Sequence, residues 1–256
     1  MSLHRLVFLD LDDTLFQSRR KCPSAGGLRP AAYLADGRAH SFMTARQRSL
    51  WQLLDDQATL IPTTARDHDA LCRVDLPFRS WRILDYGGVI LDPEGHPDGA
   101  WLARMAAHAH DSLDELNTLL DRILTFVAQE RLALQARLIA DFGIHFYLVA
   151  KYREGRSADL ERLQGELIAP WVAERRPGYR LHRNDNNLAV LPAWLGKEWA
   201  VRYLITRLER DWGELLTIGV GDSLSDGSFM AECDYAILPR GSQLFATTLA
   251  NLVRRD

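Results

Sequence analysis

Two acidic clusters stand where chemistry is easiest to build. Asp10, Asp12 and Asp13 follow the unbroken apolar run Leu6-Val7-Phe8-Leu9, and Asp222 and Asp226 follow a second run, Leu215 to Val220. An apolar run that stops at an acid reads as a strand buried on both faces of a parallel sheet, and such sheets hold ligands at the carboxyl ends of their strands. If the chain stays extended, Asp10 and Asp12 point the same way. Carboxylates held close raise one another's pKa unless a cation intervenes, and Mg²⁺ takes a few carboxylates together with substrate phosphate oxygens. Two further pieces suit a phosphate. Thr63-Thr64-Ala65-Arg66 ends a third apolar run, Ala58 to Thr63, and offers a hydroxyl and free backbone amides. Lys197 opens a helical pattern directly after Gly196, where the positive end of a helix dipole disfavours a cation unless a carboxylate or phosphate answers it.

Other chemistries are poorly served. Gly219-x-Gly221 lacks the third glycine of a dinucleotide loop and has acids where pyrophosphate would lie, and no Walker A pattern occurs. The three cysteines, Cys22, Cys72 and Cys233, make no CxxC pair, and no histidine pair has zinc spacing. His108 and His110 are expected to be solvated on a helix. The formal net charge of −3 gives no basic footprint for nucleic acid or anionic membrane. The first apolar run is cut by acids too early for a signal or membrane segment. A soluble, reduced, cytoplasmic protein is the expectation.

The elements that must position these residues alternate. Arg29 to Phe42 carries Asp36-Gly37 between short segments, a hairpin signal. Thr44 and Gln47 form a capping box, with Leu50, Trp51, Leu53 and Leu54 as the apolar face of the helix that follows. Helical patterns at 197–210 and 243–253 complete a β/α order that predicts a doubly wound parallel sheet of Rossmann-like type, an α/β core. The middle differs. The periodicity predicts a helix over 113–128 with Ser112 as N-cap, and a hairpin of 131–140 with 144–151 around Asp141-Phe142-Gly143. A second helix over 158–172 and a last hairpin turning at Asn184-Asp185-Asn186-Asn187 follow. This is an α+β cap domain, 89–191, inserted into a core of 1–88 and 192–256, with joints at Tyr86-Gly87-Gly88 and Pro192 to Gly196.

Asp10-Leu11-Asp12-Asp13-Thr14, then Thr64, then Lys197, then Gly221-Asp222 with Asp226, resembles in order the four signatures of the haloacid dehalogenase superfamily, over essentially the whole chain. The insert between the Thr and Lys signatures is similar to the large-cap branch that includes sucrose-phosphate phosphatase and Cof-like sugar phosphatases. Ser225 departs from the Asn of many relatives, at a position that is not a signature carboxylate. The resemblance implies a Mg²⁺-dependent phosphatase acting on a small phosphorylated metabolite, a sugar phosphate above all. Asp10 is then the nucleophile that becomes a phosphoaspartate, and Asp12 the acid and base. Asp10, the Asp12 carbonyl and Asp222 hold Mg²⁺ with Asp226 nearby, while Thr64 and Lys197 bind the phosphoryl group. A sugar phosphomutase shares the aspartate pair and is the alternative enzyme; a fold kept as a binding module is the alternative that is no enzyme. An Asp two residues after the nucleophile suits an oxygen leaving group better than a halide.

The cap is read from parity. In 144–151 the even positions Ile144, Phe146, Leu148 and Ala150 are apolar, whereas the odd ones include His145, Tyr147 and Lys151. The preceding strand repeats this, with Leu132, Leu134, Ala136 and Leu138 against Arg131, Gln135 and Arg137. One face should pack on the cap helices and the other stay polar, extended by Arg180 and His182. The expectation is that this polar face closes over Asp10 and reads the leaving group through His145, Tyr147 and Lys151.

Overall fold

A computed structural model describes residues 3–23, 26–152, 156–184 and 186–253. The chain divides into two compact units, Met1–Asp98 with Gly196–Asp256, and Gly99–Leu195.

The first unit is built on a four-stranded parallel sheet, ordered Tyr235–Ile237, Leu215–Val220, His4–Leu9, Thr59–Pro62. Leu6, Val7, Phe8 and Leu9 are all fully buried, as a strand covered on both faces requires. From the first strand the chain builds outward in one direction to Thr59–Pro62 and later in the other to Leu215–Val220. The order therefore reverses between His4–Leu9 and Leu215–Val220, the switch point where open α/β sheets leave a crevice. Register finishes the placement. Leu9 pairs with both Val220 and Pro62, so the residues that follow all three strands leave the sheet in one row. The backbone stitches that row together: Asp10 N–H donates to the Val220 carbonyl (2.9 Å) and Thr63 N–H to the Leu9 carbonyl (2.8 Å).

The Asp36-Gly37 hairpin forms between Arg29–Tyr33 and Ala39–Met43, with Gly37 at φ +81°. The Thr44–Gln47 capping box opens the helix Ala45–Asp55 as read from the sequence. Its apolar face is narrower than expected: Trp51 and Leu54 are buried, but Leu53 is 64% exposed. Positions 53 and 54 sit about 100° apart on a helix, and a short amphipathic helix seats one stripe only. The terminal pattern 243–253 is two short helices, Gln243–Thr247 and Ala250–Val253, because Thr248 turns its side chain back to the Leu244 carbonyl and leaves helical geometry (φ −112°, ψ −85°).

The second unit is α+β. Its antiparallel sheet is ordered Tyr179–Asn184, Asn187–Pro192, Ile144–Tyr152, Leu134–Asp141. Phe142 (φ +47°) and Gly143 (φ +77°) make the tight turn of the expected hairpin. Asp185, in the last expected turn, lies outside the described residues. The helical patterns need correction. Instead of starting at Ser112, one helix runs from Gly99 to Gln129. Ser112 sits mid-helix and buried, its hydroxyl donating to the His108 and Ala109 carbonyls and accepting from Trp194 Nε1. A serine satisfied by its own helix and a cross-chain donor does not have to cap. The 158–172 pattern becomes Ser157–Leu163 and Ala169–Glu174, joined through a π-helical turn at Gln164–Ile168.

The parity reading of this sheet is right on one side. Leu134, Leu148, Ala150, Leu188 and Val190 share a core with Leu116, Leu119, Ile123, Leu160 and Trp171 of the helices. The other side is mixed rather than polar. Tyr147, Val149, Ala189 and Leu191 are buried there, with exposed His145 and Lys151 near the strand's two ends. The centre of this strand alternates apolar with apolar, so parity alone separates the faces but not their polarity. Among the described residues no helix is long and apolar enough to cross a membrane.

Candidate active site

Four of the residues singled out in the sequence meet at the switch point. Lys197 Nζ donates to Asp10 Oδ1 (2.6 Å) and Asp226 Oδ1 (2.7 Å), and carboxylate oxygens of Asp10, Asp222 and Asp226 lie within 4.8 Å of one another. All three partners of the Lys197 bridge are nearly solvent-free, with Lys197 at 4%, Asp10 at 6% and Asp226 at 1% exposure. Asp10 is delivered by its strand. Lys197 is the first residue of the helix Lys197–Trp212, so the unfavourable placement of a cation there is answered by two carboxylates. Asp222 sits on the turn after Leu215–Val220 and accepts from Thr14 Oγ1 (3.2 Å).

Asp226 has a different role from Asp222. Its Oδ1 receives Lys197, while its Oδ2 receives Ser223 Oγ (2.7 Å), Ser223 N (3.0 Å) and Asp222 N (3.3 Å). It closes a capping box with Ser223 at the start of the helix Leu224–Met230 and fixes the loop that carries Asp222. The loop also explains its glycines. A Cβ on Gly221 would stand 2.5 Å from Asp226 Cβ, and one on Gly219 would stand 2.8 Å from Met230 Cα. These glycines let the helix lie against the strand end, a packing need unrelated to nucleotide binding.

The electrostatics follow from burial. Desolvation, with Asp226 and Asp222 nearby, holds Asp10 well above the usual carboxylate range despite Lys197. Burial and the charges of Asp226 and Asp13 push Asp222 up to about 7. For Asp226 burial also pushes upward, but Lys197 and Ser223 outweigh it and leave it below the ordinary value. Burial works against a charged Lys197, yet Asp10 and Asp226 win and raise it. Fully ionised, three carboxylates against one ammonium would carry an excess of two negative charges, which is why Asp10 and Asp222 are raised without a further cation. That excess, carried by hard oxygen donors, fits a divalent cation such as Mg²⁺ held by Asp10 and Asp222.

Asp12 and Thr64 lie in other settings. The Asp12 carboxylate is taken by Arg66, whose Nε donates to Oδ2 (2.7 Å) and Nη2 to Oδ1 (2.8 Å). Arg66 was not singled out from the sequence. Its only signal there was a cation two residues beyond Thr64 at a strand end. Thr64 is buried, and its hydroxyl accepts from Arg66 N–H (3.1 Å). The expectation of free amides here is corrected for two of them: Thr64 N–H donates to the Ile83 carbonyl (2.9 Å), and Arg66 N–H is used by Thr64. The neighbouring hairpin Arg82–Leu84 and Val89–Leu91 adds a bridge to this strand end and consumes the donor.

Tyr147, Lys151, Arg180 and His182 share one sheet face by register, whereas His145 pairs with Ala140 beyond a bulge that breaks the alternation. Lys151 pairs with Gln135 and Asn187, Val149 with Arg137 and Ala189, and Ala189 with His182. Tyr147 pairs with Ile139, and Leu191 with Arg180. Arg180 Nη2 donates to the Leu195 carbonyl (2.6 Å). A cavity of about 240 Å³ is lined by Gln135, Ala136, Arg137, Val149 and Lys151. Arg137 belongs with the expected group, and its parity was visible in the sequence.

No family model matches the sequence, and no curated protein matches it. Solved structures do. The C-terminal domain of trehalose-6-phosphate phosphatase from C. albicans aligns with TM-score 0.55 and 16% identity, over 89% of this chain and 73% of that one. The sucrose-phosphatase of Synechocystis, solved with sucrose and phosphate, aligns with TM-score 0.52 and 16% identity over 98% and 88%. A trehalose-6-phosphate phosphatase related protein gives 0.50 and 17% over 93% and 88%. The chain has the fold of these phosphatases, the Rossmann-like core with an inserted α+β unit that its sequence led one to expect.

Proposed function

We propose that the protein is a phosphatase of the haloacid dehalogenase type, which uses Mg²⁺ to hydrolyse a small phosphate monoester, a sugar phosphate by preference, through a phosphoaspartate on Asp10. The observation that carries this reading is the buried Lys197 bridge between Asp10 and Asp226 beside Asp222. It is an arrangement too costly in desolvation to be explained by stability.

Asp10 Oδ2 is the oxygen left available by the Lys197 bond, and it attacks phosphorus in line with the leaving oxygen. The P–O bond to the leaving group breaks, and Asp12 supplies the proton that the departing alkoxide takes. In the second half Asp12 receives a proton from water as that water displaces Asp10 from phosphorus. Lys197 and Thr64 face the transferring group with a fixed charge and a fixed hydroxyl. Asp10 and Asp222, with the Asp12 carbonyl, would hold Mg²⁺, which when bound supplies the positive charge that the transferring oxygens develop toward.

The sugar-phosphate preference is supported by the likeness to structures of sugar-phosphate phosphatases and by the inserted sheet. Arg137, Lys151, His182 and Arg180 share its mixed face, and the register positions given for that face include no carboxylate. Such a face, with His145 and Tyr147, suits a leaving group rich in oxygen. The reading is tested by turnover of p-nitrophenyl phosphate in Mg²⁺ and in chelator, followed by a panel of phosphorylated sugars. Metal-dependent release of free phosphate, abolished in Asp10→Asn, supports it. Retention of phosphate in a bisphosphate product would point to a phosphomutase. Full turnover in chelator, or by Asp10→Asn, would overturn it.

A further inference from the structure

We infer that Arg66 is the positioning residue for Asp12, and that it serves the second half of the reaction, hydrolysis of the phosphoaspartate. The inference rests on the proposed phosphatase reading. The guanidinium is itself held by several partners. Nε and Nη2 form a two-point fork on the Asp12 carboxylate (2.7 and 2.8 Å), and Nη1 donates to the Ala70 carbonyl (3.3 Å). The guanidinium carbon lies over the fully buried Phe16 ring, 5.2 Å from its centroid. The Arg66 backbone is tied to Thr64 Oγ1. Arg66 is 16% exposed at its side chain, against 43% for Asp12. A largely buried cation therefore holds a carboxylate that still meets solvent.

A planar fork fixes both the position and the plane of its carboxylate, which a point charge does not. The two N–H donors meet the two Asp12 oxygens separately, so the carboxyl group can neither swing nor rotate out of the plane of the fork. In the hydrolytic step, water attacks phosphorus and the P–O bond to Asp10 breaks with its electron pair returning to the Asp10 carboxylate. The proton lost by the water goes to Asp12. Arg66 does not touch the reacting atoms; it keeps the acceptor aimed. Formation of the phosphoaspartate from an ester with a good leaving group requires no proton from Asp12, so that step should be nearly indifferent to Arg66.

The experiment is rapid mixing of the full-length protein with p-nitrophenyl phosphate in Mg²⁺, comparing wild type, Arg66→Gln and Arg66→Lys. Arg66→Gln is expected to release about one equivalent of p-nitrophenolate at close to the wild-type rate, then turn over on the order of 10²-fold more slowly as the phosphoenzyme accumulates. Arg66→Lys, with charge but no fork, should fall between the two. A variant that merely misfolds is separated by a double-mutant cycle. If Arg66 acts through Asp12, Arg66→Gln placed on Asp12→Asn costs no further turnover; a general structural loss would add. Unchanged steady-state turnover in Arg66→Gln overturns the inference. So do a lost burst with raised KM, which would assign Arg66 to the substrate phosphate, and full additivity in the cycle. Wild type with no metal-dependent turnover would remove the phosphatase reading itself, a separate failure.

Discussion

Lys197→Met is the sharpest perturbation of the buried cluster, because it removes the ammonium and keeps much of the side chain's volume. Lys197 touches Asp10 and Asp226 at 2.6 and 2.7 Å, and all three groups are at or below 6% exposure. Water cannot replace the lost cation, so two carboxylates face each other beside Asp222. Removing one partner of a buried pair typically costs about 3–5 kcal/mol, and the upper part of that range applies here because one lysine serves two acids. The sign with pH follows from the groups involved. In wild type, Lys197 holds Asp226 below its ordinary value, a contribution present above the unfolded carboxylate pKa and lost as pH falls through the folded one. Without Lys197 that lowering disappears, and burial leaves Asp10 and Asp226 raised. Raised carboxylates favour the fold at low pH and lose that stability as pH rises. Urea unfolding in chelator at neutral pH should therefore show the full loss for Lys197→Met, shrinking toward pH 5, and Mg²⁺ should restore part of it. Stability equal to wild type in chelator at neutral pH, or a loss that grows on acidification, would refute the electrostatic account of the cluster.

Asp222 is pushed up to about 7, so protons compete with metal below that pH. Apparent Mg²⁺ affinity by calorimetry should rise with pH, the Asp222 proton alone contributing up to about tenfold per pH unit below 7, and Asp222→Asn should flatten that dependence and lower the activity. Metal-free stability contributed by protonated Asp222 should decline as pH rises toward 7, visible as a falling Tm in chelator. Gly221→Ala inserts a Cβ 2.5 Å from Asp226 Cβ, so it should cost about 1–3 kcal/mol in unfolding experiments and weaken Mg²⁺ binding with it. On the inserted sheet, Lys151→Ala or His145→Ala should raise KM for the true substrate about tenfold and leave p-nitrophenyl phosphate unchanged. Equal effects on both substrates would make that face ordinary surface.

Much of this was legible because the physical constraint was local. A fully buried strand needs an unbroken apolar run, so His4–Leu9 and Leu215–Val220 could be read almost residue by residue, and with them the places of Asp10 and Asp222. The Thr44–Gln47 box is a backbone requirement three residues long and was equally plain. What failed depended on partners distant in sequence. Ser112 looks like an N-cap until Trp194 supplies a donor from the far end of the unit. Val149 and Leu191 carry no sign in their own strands that the face they share would be buried. The Arg66–Asp12 fork joins positions 54 apart, and nothing in the local sequence of either residue announces the other. The amide of Thr64 was read as free because the Arg82–Leu84 segment that takes it was not recognised as a strand.

The central claim is covalent chemistry on Asp10, and mass spectrometry of the acid-quenched protein after brief exposure to p-nitrophenyl phosphate and Mg²⁺ tests it most directly. The account predicts one added phosphoryl group, acid-stable and labile at higher pH, on the peptide containing Asp10, most abundant in Arg66→Gln and absent from Asp10→Asn. Turnover with no adduct in either active form, or a phosphoryl group on any other residue, would contradict it.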